Sequence, residues 1–258
     1  MDQVYVPKKR TGFNIGDYVI IKPLKEESGK DLKKLKKLYF YGVSDLEKIK
    51  LEIIEKIRGV IEQSIEFENF IITGSFLERG FDFRDLDILI ISNEKVNGNK
   101  IKKTITEKIG INPDIIVLNI KTLIKGLSTD PLYQMMLSKY VSKKRLIFNI
   151  KTKINYKILD LHLLKSKALI DGFDFLNGSE KYQLTRNMIA ISLFLENKKI
   201  SKVSVDRKIK ELFKTEIKDI KDNLINKKEF LKEYKKIYKE TFEKIMKGVK
   251  RENGSKQK

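Results

Sequence analysis

The chain has 258 residues, with 55 Lys/Arg against 35 Asp/Glu for a formal charge of +20, no cysteine and a single histidine, His162. Disulfides, thiolate metal sites, cysteine nucleophiles and His-His pairs are thereby excluded, so a metal here is held mainly by carboxylates, which favours a hard ion such as magnesium or manganese. No apolar run approaches the roughly 20 residues that span a bilayer, and no segment is flanked like a secretion signal, so a soluble cytoplasmic protein with no membrane partner is expected.

A charge of this size attracts polyanions, and nucleic acid is the usual partner. The same lysine-rich, glutamine-poor composition also suits a heat-adapted protein that solvates its helix faces. Residues 1–42 look like an N-terminal extension. Lys8-Lys9-Arg10 is a basic cluster, Gly16-Asp17 a turn, and Tyr18-Val19-Ile20-Ile21 a short strand candidate stopped by Pro23. Glu26 to Lys37 is nearly all charged and reads as a linker or an exposed helix.

The spacing predicts a helix from Ser44, capped by Ser44 with Glu47 completing a capping box. Leu46, Ile49, Ile53, Ile57 and Ile61 give its apolar stripe. Three short, β-branched runs follow as strands of a buried sheet: Phe70-Ile71-Ile72, Ile88 to Ile91, and Ile115 to Leu118 entered through Pro113. Between the last two lies a short helix with Ile101, Ile105 and Ile109 on one side, closed by Gly110. Asp130-Pro131 opens another helix, and Leu146-Ile147-Phe148 is a candidate last strand.

From about residue 151 the strand signals stop, and amphipathic helices are expected over roughly 152–170, 180–197, 205–225 and 228–250. The last has Leu231, Tyr234, Tyr238, Phe242, Ile245 and Val249 on one face, and Glu252 to Lys258 reads as a frayed tail. Residues 198–258 hold 21 Lys/Arg against 10 Asp/Glu, so about half of the net charge lies there. The expected architecture is α/β: a small mixed-sheet domain over 43–150, then an α-helical domain over 151–258.

The chemistry concentrates at Gly74-Ser75, Asp85-Leu86-Asp87 and Asp114. Residues two apart on a strand share a face, so Asp85 and Asp87 project together, and Asp114 begins a strand that a neighbour brings alongside. Three converging carboxylates repel unless cations sit between them, and two Mg2+ ions satisfy such a cluster. Gly74 lets a backbone approach phosphate, and Ser75 is expected to open a short helix whose amides face an anion.

The run Gly74-Ser75-Phe76-Leu77-Glu78-Arg79-Gly80, then Asp85-Leu86-Asp87, then Asp114, resembles the DNA polymerase beta superfamily of nucleotidyltransferases. It is most similar to the minimal archaeal and bacterial members and the kanamycin nucleotidyltransferase type, over about 44–120. The resemblance implies that Asp85 and Asp87 bind both metals, that Asp114 binds the catalytic metal and helps activate the attacking hydroxyl, and that Gly74 and Ser75 hold the β- and γ-phosphates. It implies transfer of NMP from an NTP, with ATP favoured, to an acceptor hydroxyl. The basic C-terminal half makes RNA or tRNA the best acceptor. Many relatives place an arginine three residues after the serine. Arg79 is four after, and so is either a phosphate ligand or a partner of Asp82 or Glu78.

Each remaining candidate has a plainer reading beside it. His162, among Leu161, Leu163 and Leu164, reads as packed rather than catalytic. Arg186-Asn187 is an acceptor contact or the polar edge of a bundle helix. Tyr234, Tyr238 and Phe242 are base-stacking residues or core. Three rival functions stay in view: a small-molecule transferase, with Asp171 and Asp174 as cleft acids; a protein-modifying, AMP-transferring, antitoxin-like enzyme; and a silent nucleic-acid-binding relative.

Overall fold

A computed structural model describes residues 38–255, apart from Asp82, Arg84 and Asn149. The basic cluster at 8–10, the strand at 18–21 and the charged stretch 26–37 lie outside the described residues. Five strands form one mixed sheet in the order β1-β5-β2-β3-β4. They are β1 (Tyr39–Tyr41), β2 (Asn69–Thr73), β3 (Leu86–Ile91), β4 (Pro113–Leu118) and β5 (Tyr140–Ser142). Only β3 and β4 run parallel, and the 12-residue helix α2 (Gly98–Ile109) connects them, since parallel neighbours need a crossover.

The sheet is covered on both faces, which is why its strands read as unbroken apolar runs. Phe70, Ile72, Ile88 and Ile90 pack with Ile54, Ile57 and Ile61 of α1 (Lys48–Ser64) and with Ile101 and Ile105 of α2. Ile71, Leu89 and Ile91, one residue out of phase, pack with Leu123 and Leu127 of α3 (Ile120–Thr129). Gly110 closes α2 in the left-handed conformation at φ 78°, as its position past the last isoleucine predicts. Asp130 caps α4 (Pro131–Met136), its carboxylate accepting from the Leu132 amide at 2.8 Å.

The remaining helices are α5 (Tyr156–Ser166), α6 (Ala168–Asp171), α7 (Gly178–Leu195), α8 (Lys202–Phe213), α9 (Ile217–Lys221) and α10 (Lys227–Ser255). They share a hydrophobic cluster of their own, with Leu163, Met188, Ile191, Val205, Ile209 and Tyr234 fully buried. Met135 of α4 joins this cluster, so α4 packs against the helices although the chain returns to the sheet at β5 before α5 begins. Among the described residues no helix is long and apolar enough to cross a membrane.

Several expectations need correction. Helix α1 starts at Lys48 with Glu47 as its cap residue, and the Ser44–Glu47 capping box does not form. The Glu47 carboxylate accepts from the Gly80 amide instead. The buried face of α1 is Lys50, Ile54, Ile57 and Ile61, so Ile49 and Ile53 flank it. Residues 146–148 are not a strand, and Ile147 is 76% exposed; β5 takes the place beside β2. Tyr39–Tyr41, read as part of the extension, pairs with β5 as an edge strand.

The expected helix over 152–170 breaks after Ser166, whose carbonyl accepts from the Tyr234 hydroxyl at 2.8 Å, and the one over 205–225 breaks at Lys214, which is left-handed at φ 51°. Helix α10 continues to Ser255, into the segment read as a frayed tail.

Candidate active site

The Asp85-Leu86-Asp87 segment enters β3 and Asp114 enters β4. The parallel register places Asp87 directly beside Asp114. Each of the three aspartates offers a carboxylate oxygen, and these atoms lie within 4.8 Å of one another. The side chains project from the face that α3 covers further along the strands, since Asp87 shares its parity with Leu89 and Ile91.

Asp87 is half-buried, and its carboxyl is pushed up to about 6, first by burial and then by the charges of Asp85 and Asp114. The Arg186 guanidinium of α7 opposes this rise. Lys102 of α2 reaches Asp114 at 3.3 Å, across an exposed pair. The residues fit a hard divalent cation: all donors are carboxylate oxygens, and Arg186 and Lys102 offset their mutual repulsion only in part, since the Asp87 carboxyl stays raised.

The Gly74-Ser75 turn borders this cluster. Thr73, the last residue of β2, pairs with Asp87 across the antiparallel ladder. Gly74 follows at φ 85°, and a Cβ built there would sit 2.0 Å from Asp87 Oδ2. Glycine is thus required twice, by the backbone conformation and by the approach of the carboxylate. Gly74→Ala is expected to displace Asp87 and weaken Mn2+ binding at least tenfold by isothermal titration, with the fold retained. Wild-type affinity in that variant would dissociate the turn from the metal ligands.

Ser75 opens the short helix expected there, a single 3-10 turn over Ser75–Leu77. Any phosphate reading therefore rests on the turn's own amides and not on a helix macrodipole. Phe76 and Leu77 are buried, and Phe76 meets Phe83 edge-on at 5.0 Å, so the apolar residues of the motif anchor the turn in the core.

A feature the sequence reading missed secures the loop beyond. Lys50 is fully buried, and its ammonium donates to the carbonyls of Glu78 and Gly80. It also pairs with Glu47 at 3.0 Å and lies 5.4–5.7 Å from the rings of Phe76, Phe81 and Phe83. The carboxyl of Glu47 falls to about 2, mainly because it accepts from the Gly80 amide. The signal was present, because Lys50 lies at helical spacing from Ile54, Ile57 and Ile61.

Arg79 is exposed, and of its two alternative partners Glu78 is taken by Lys202 of α8, while Asp82 lies outside the described residues. Arg186 reaches the acidic cluster from the helical cluster, and its Nε is buried without a hydrogen-bond partner among the described residues. Its neighbour Tyr182 donates to Asp206 at 2.7 Å. His162 is a packed, paired residue, with Nε2 3.0 Å from Asp130 Oδ2. Tyr234 is core, whereas Phe242 is 41% exposed.

No family model matches the chain, and neither the curated proteins nor the solved structures yield a match.

Proposed function

We propose that this chain is a metal-dependent nucleotidyltransferase of the DNA polymerase beta type, moving NMP from an NTP to an acceptor hydroxyl and releasing pyrophosphate. The observation that carries this reading is the meeting of three aspartates, from two adjacent strands, beside a glycine turn that tolerates no side chain. Asp85, Asp87 and Asp114 hold the metal, for which magnesium or manganese fits the oxygen donors. Bound there, a divalent ion supplies Lewis-acid stabilisation of charge on the transferring phosphoryl group.

The chain's own residues do the positioning. The amides of the Gly74-Ser75 turn face the phosphates, and the Lys50 clasp fixes the loop that joins this turn to Asp85. Arg186, already within electrostatic reach of Asp87, offers a cation from the opposite wall. On this reading residues 43–150 are the catalytic unit and 151–258 the second wall of a cleft. ATP is the favoured donor, and RNA or a tRNA 3′ end the favoured acceptor.

The small-molecule reading nominates two acids that each lie beside a lysine on the surface. Asp171 pairs with Lys167 at 3.8 Å and Asp174 with Lys227 at 2.5 Å, so both are engaged with lysines.

The test is incubation of purified protein with Mg2+, each radiolabelled NTP and total RNA, beside the Asp85→Ala/Asp87→Ala variant. Label on RNA from wild type alone supports the reading. Label on protein moves the case to the AMP-transferring alternative, and no label on either leaves a small-molecule acceptor or a silent relative.

A further inference from the structure

Helix α10 buries Phe230, Tyr234, Ile237, Thr241 and Ile245 among the other helices. On another face, Lys228, Lys232, Lys235 and Lys239 recur at steps of four, three and four residues, and all four are exposed. At a rise of 1.5 Å per residue they form one row about 16 Å long. The first three border, with Asn226, Lys227 and Leu231, a shallow open stretch of surface along the start of the helix. The row runs on into Phe242 and Met246, 41% and 37% exposed.

Like charges three and four residues apart repel and weaken a helix, so helix stability does not account for this arrangement. Three other lysines of α10 lie beside acids: Lys227 with Asp174, Lys236 with Glu233 and Lys244 with Glu196. Among the described residues none of the four in the row forms an ion pair. Their repulsion is relieved when a polyanion lies along them and its condensed counterions are released.

We propose that this row docks the phosphate backbone of single-stranded RNA, with the exposed Phe242 ring at its end as a stacking surface for an unpaired base. An anionic membrane is the other polyanionic surface, and it is held most firmly where a broad apolar face inserts. The main apolar face of α10, Phe230, Tyr234, Ile237 and Ile245, is buried in the helical cluster, which leaves only Phe242 and Met246 exposed beside the row. The proposal rests on the transferase reading for its purpose, since RNA is the acceptor that reading favours, but not for the binding itself.

The test measures the affinity of the full chain for a fluorescein-labelled oligouridylate across a salt series. Wild type is compared with Lys228→Gln/Lys232→Gln/Lys235→Gln/Lys239→Gln. A control of equal net charge is Lys56→Gln/Lys108→Gln/Lys121→Gln/Lys125→Gln, at exposed positions elsewhere. Thermal melts by circular dichroism verify that both variants fold.

Four lost phosphate contacts lower the slope of log affinity against log salt by about 3, so across a fourfold rise in salt the wild type loses roughly fiftyfold more affinity than the row variant. The control keeps the wild-type slope, and Phe242→Ala weakens binding about tenfold. Equal losses in the row and control variants mean diffuse charge and overturn the proposal. So does wild type that fails to bind RNA with a salt-dependent affinity, or row-dependent binding to phosphatidylserine vesicles in place of RNA. Row-dependent RNA binding without nucleotidyl transfer would remove the transferase reading and leave the docking surface standing.

Discussion

Asp87→Asn is expected to lower nucleotidyl transfer about a thousandfold while making the metal-free protein more stable at neutral pH. The first effect follows from the proposed reaction. Removing the central carboxylate of the cluster forfeits several kcal/mol of transition-state stabilisation by metal, at 1.36 kcal/mol for each factor of ten. The second follows from burial and repulsion, which raise the Asp87 carboxyl from 3.8 to about 6.

Below the lower value both folded and unfolded chains hold the proton, and the group contributes nothing. Between about 4 and about 6 the unfolded chain has released its proton while the folded chain retains it, so stability falls as pH rises. Above about 6 the folded chain carries the whole cost of the buried charge. Asparagine escapes this cost, so without metal the variant melts at a higher temperature than wild type from pH 6 upward, and the gap closes toward pH 4. Adding Mg2+ restores the wild type far more than the variant. Melting curves over this pH range, with and without Mg2+, make the check. An asparagine variant that melts below wild type at neutral pH, or that gains equally from Mg2+, refutes the assignment.

Lys50→Met is expected to lower stability by about 3 kcal/mol, because it leaves two carbonyls, those of Glu78 and Gly80, without their buried donor, at roughly 1–3 kcal/mol each. Methionine keeps an unbranched apolar stem of similar length in this buried position, so the loss reports the ammonium and not a cavity. For a chain of this size that corresponds to a fall in Tm of about 10 °C. Glu47→Gln keeps an acceptor for the Gly80 amide and costs less. The double variant shows coupling, because both residues act on one loop. A Tm within about 2 °C of wild type for Lys50→Met would show that the clasp does not secure the loop.

The elements with a single dominant signal were legible in the sequence. The three apolar runs became β2, β3 and β4, and Gly110 and Asp130 ended and began helices as their chemistry requires. The nomination of Asp85, Asp87 and Asp114 needed only strand parity and a guess that two strands adjoin. The parallel pairing of β3 with β4 supplies that adjacency. Strands β1 and β5 were missed, because at three residues each neither shows a period, and pairing alone makes them strands. The Ser44 cap failed because the carboxylate needed for it serves the Gly80 amide, 33 residues away.

What the sequence determined by itself is therefore local: the apolar periods, the caps, the chemistry of a site that admits carboxylate and glycine but no thiolate, and the basic C-terminal segment. The tertiary structure decided which groups meet. It placed Asp87 against Gly74 and beside Asp114, brought Arg186 within electrostatic range of Asp87, and buried Lys50 under the loop that follows the turn. The physical reason is range. Periodicity and capping act within a few residues of chain, whereas a carboxylate's charge state and a lysine's burial are set by neighbours that only folding brings within a few ångströms.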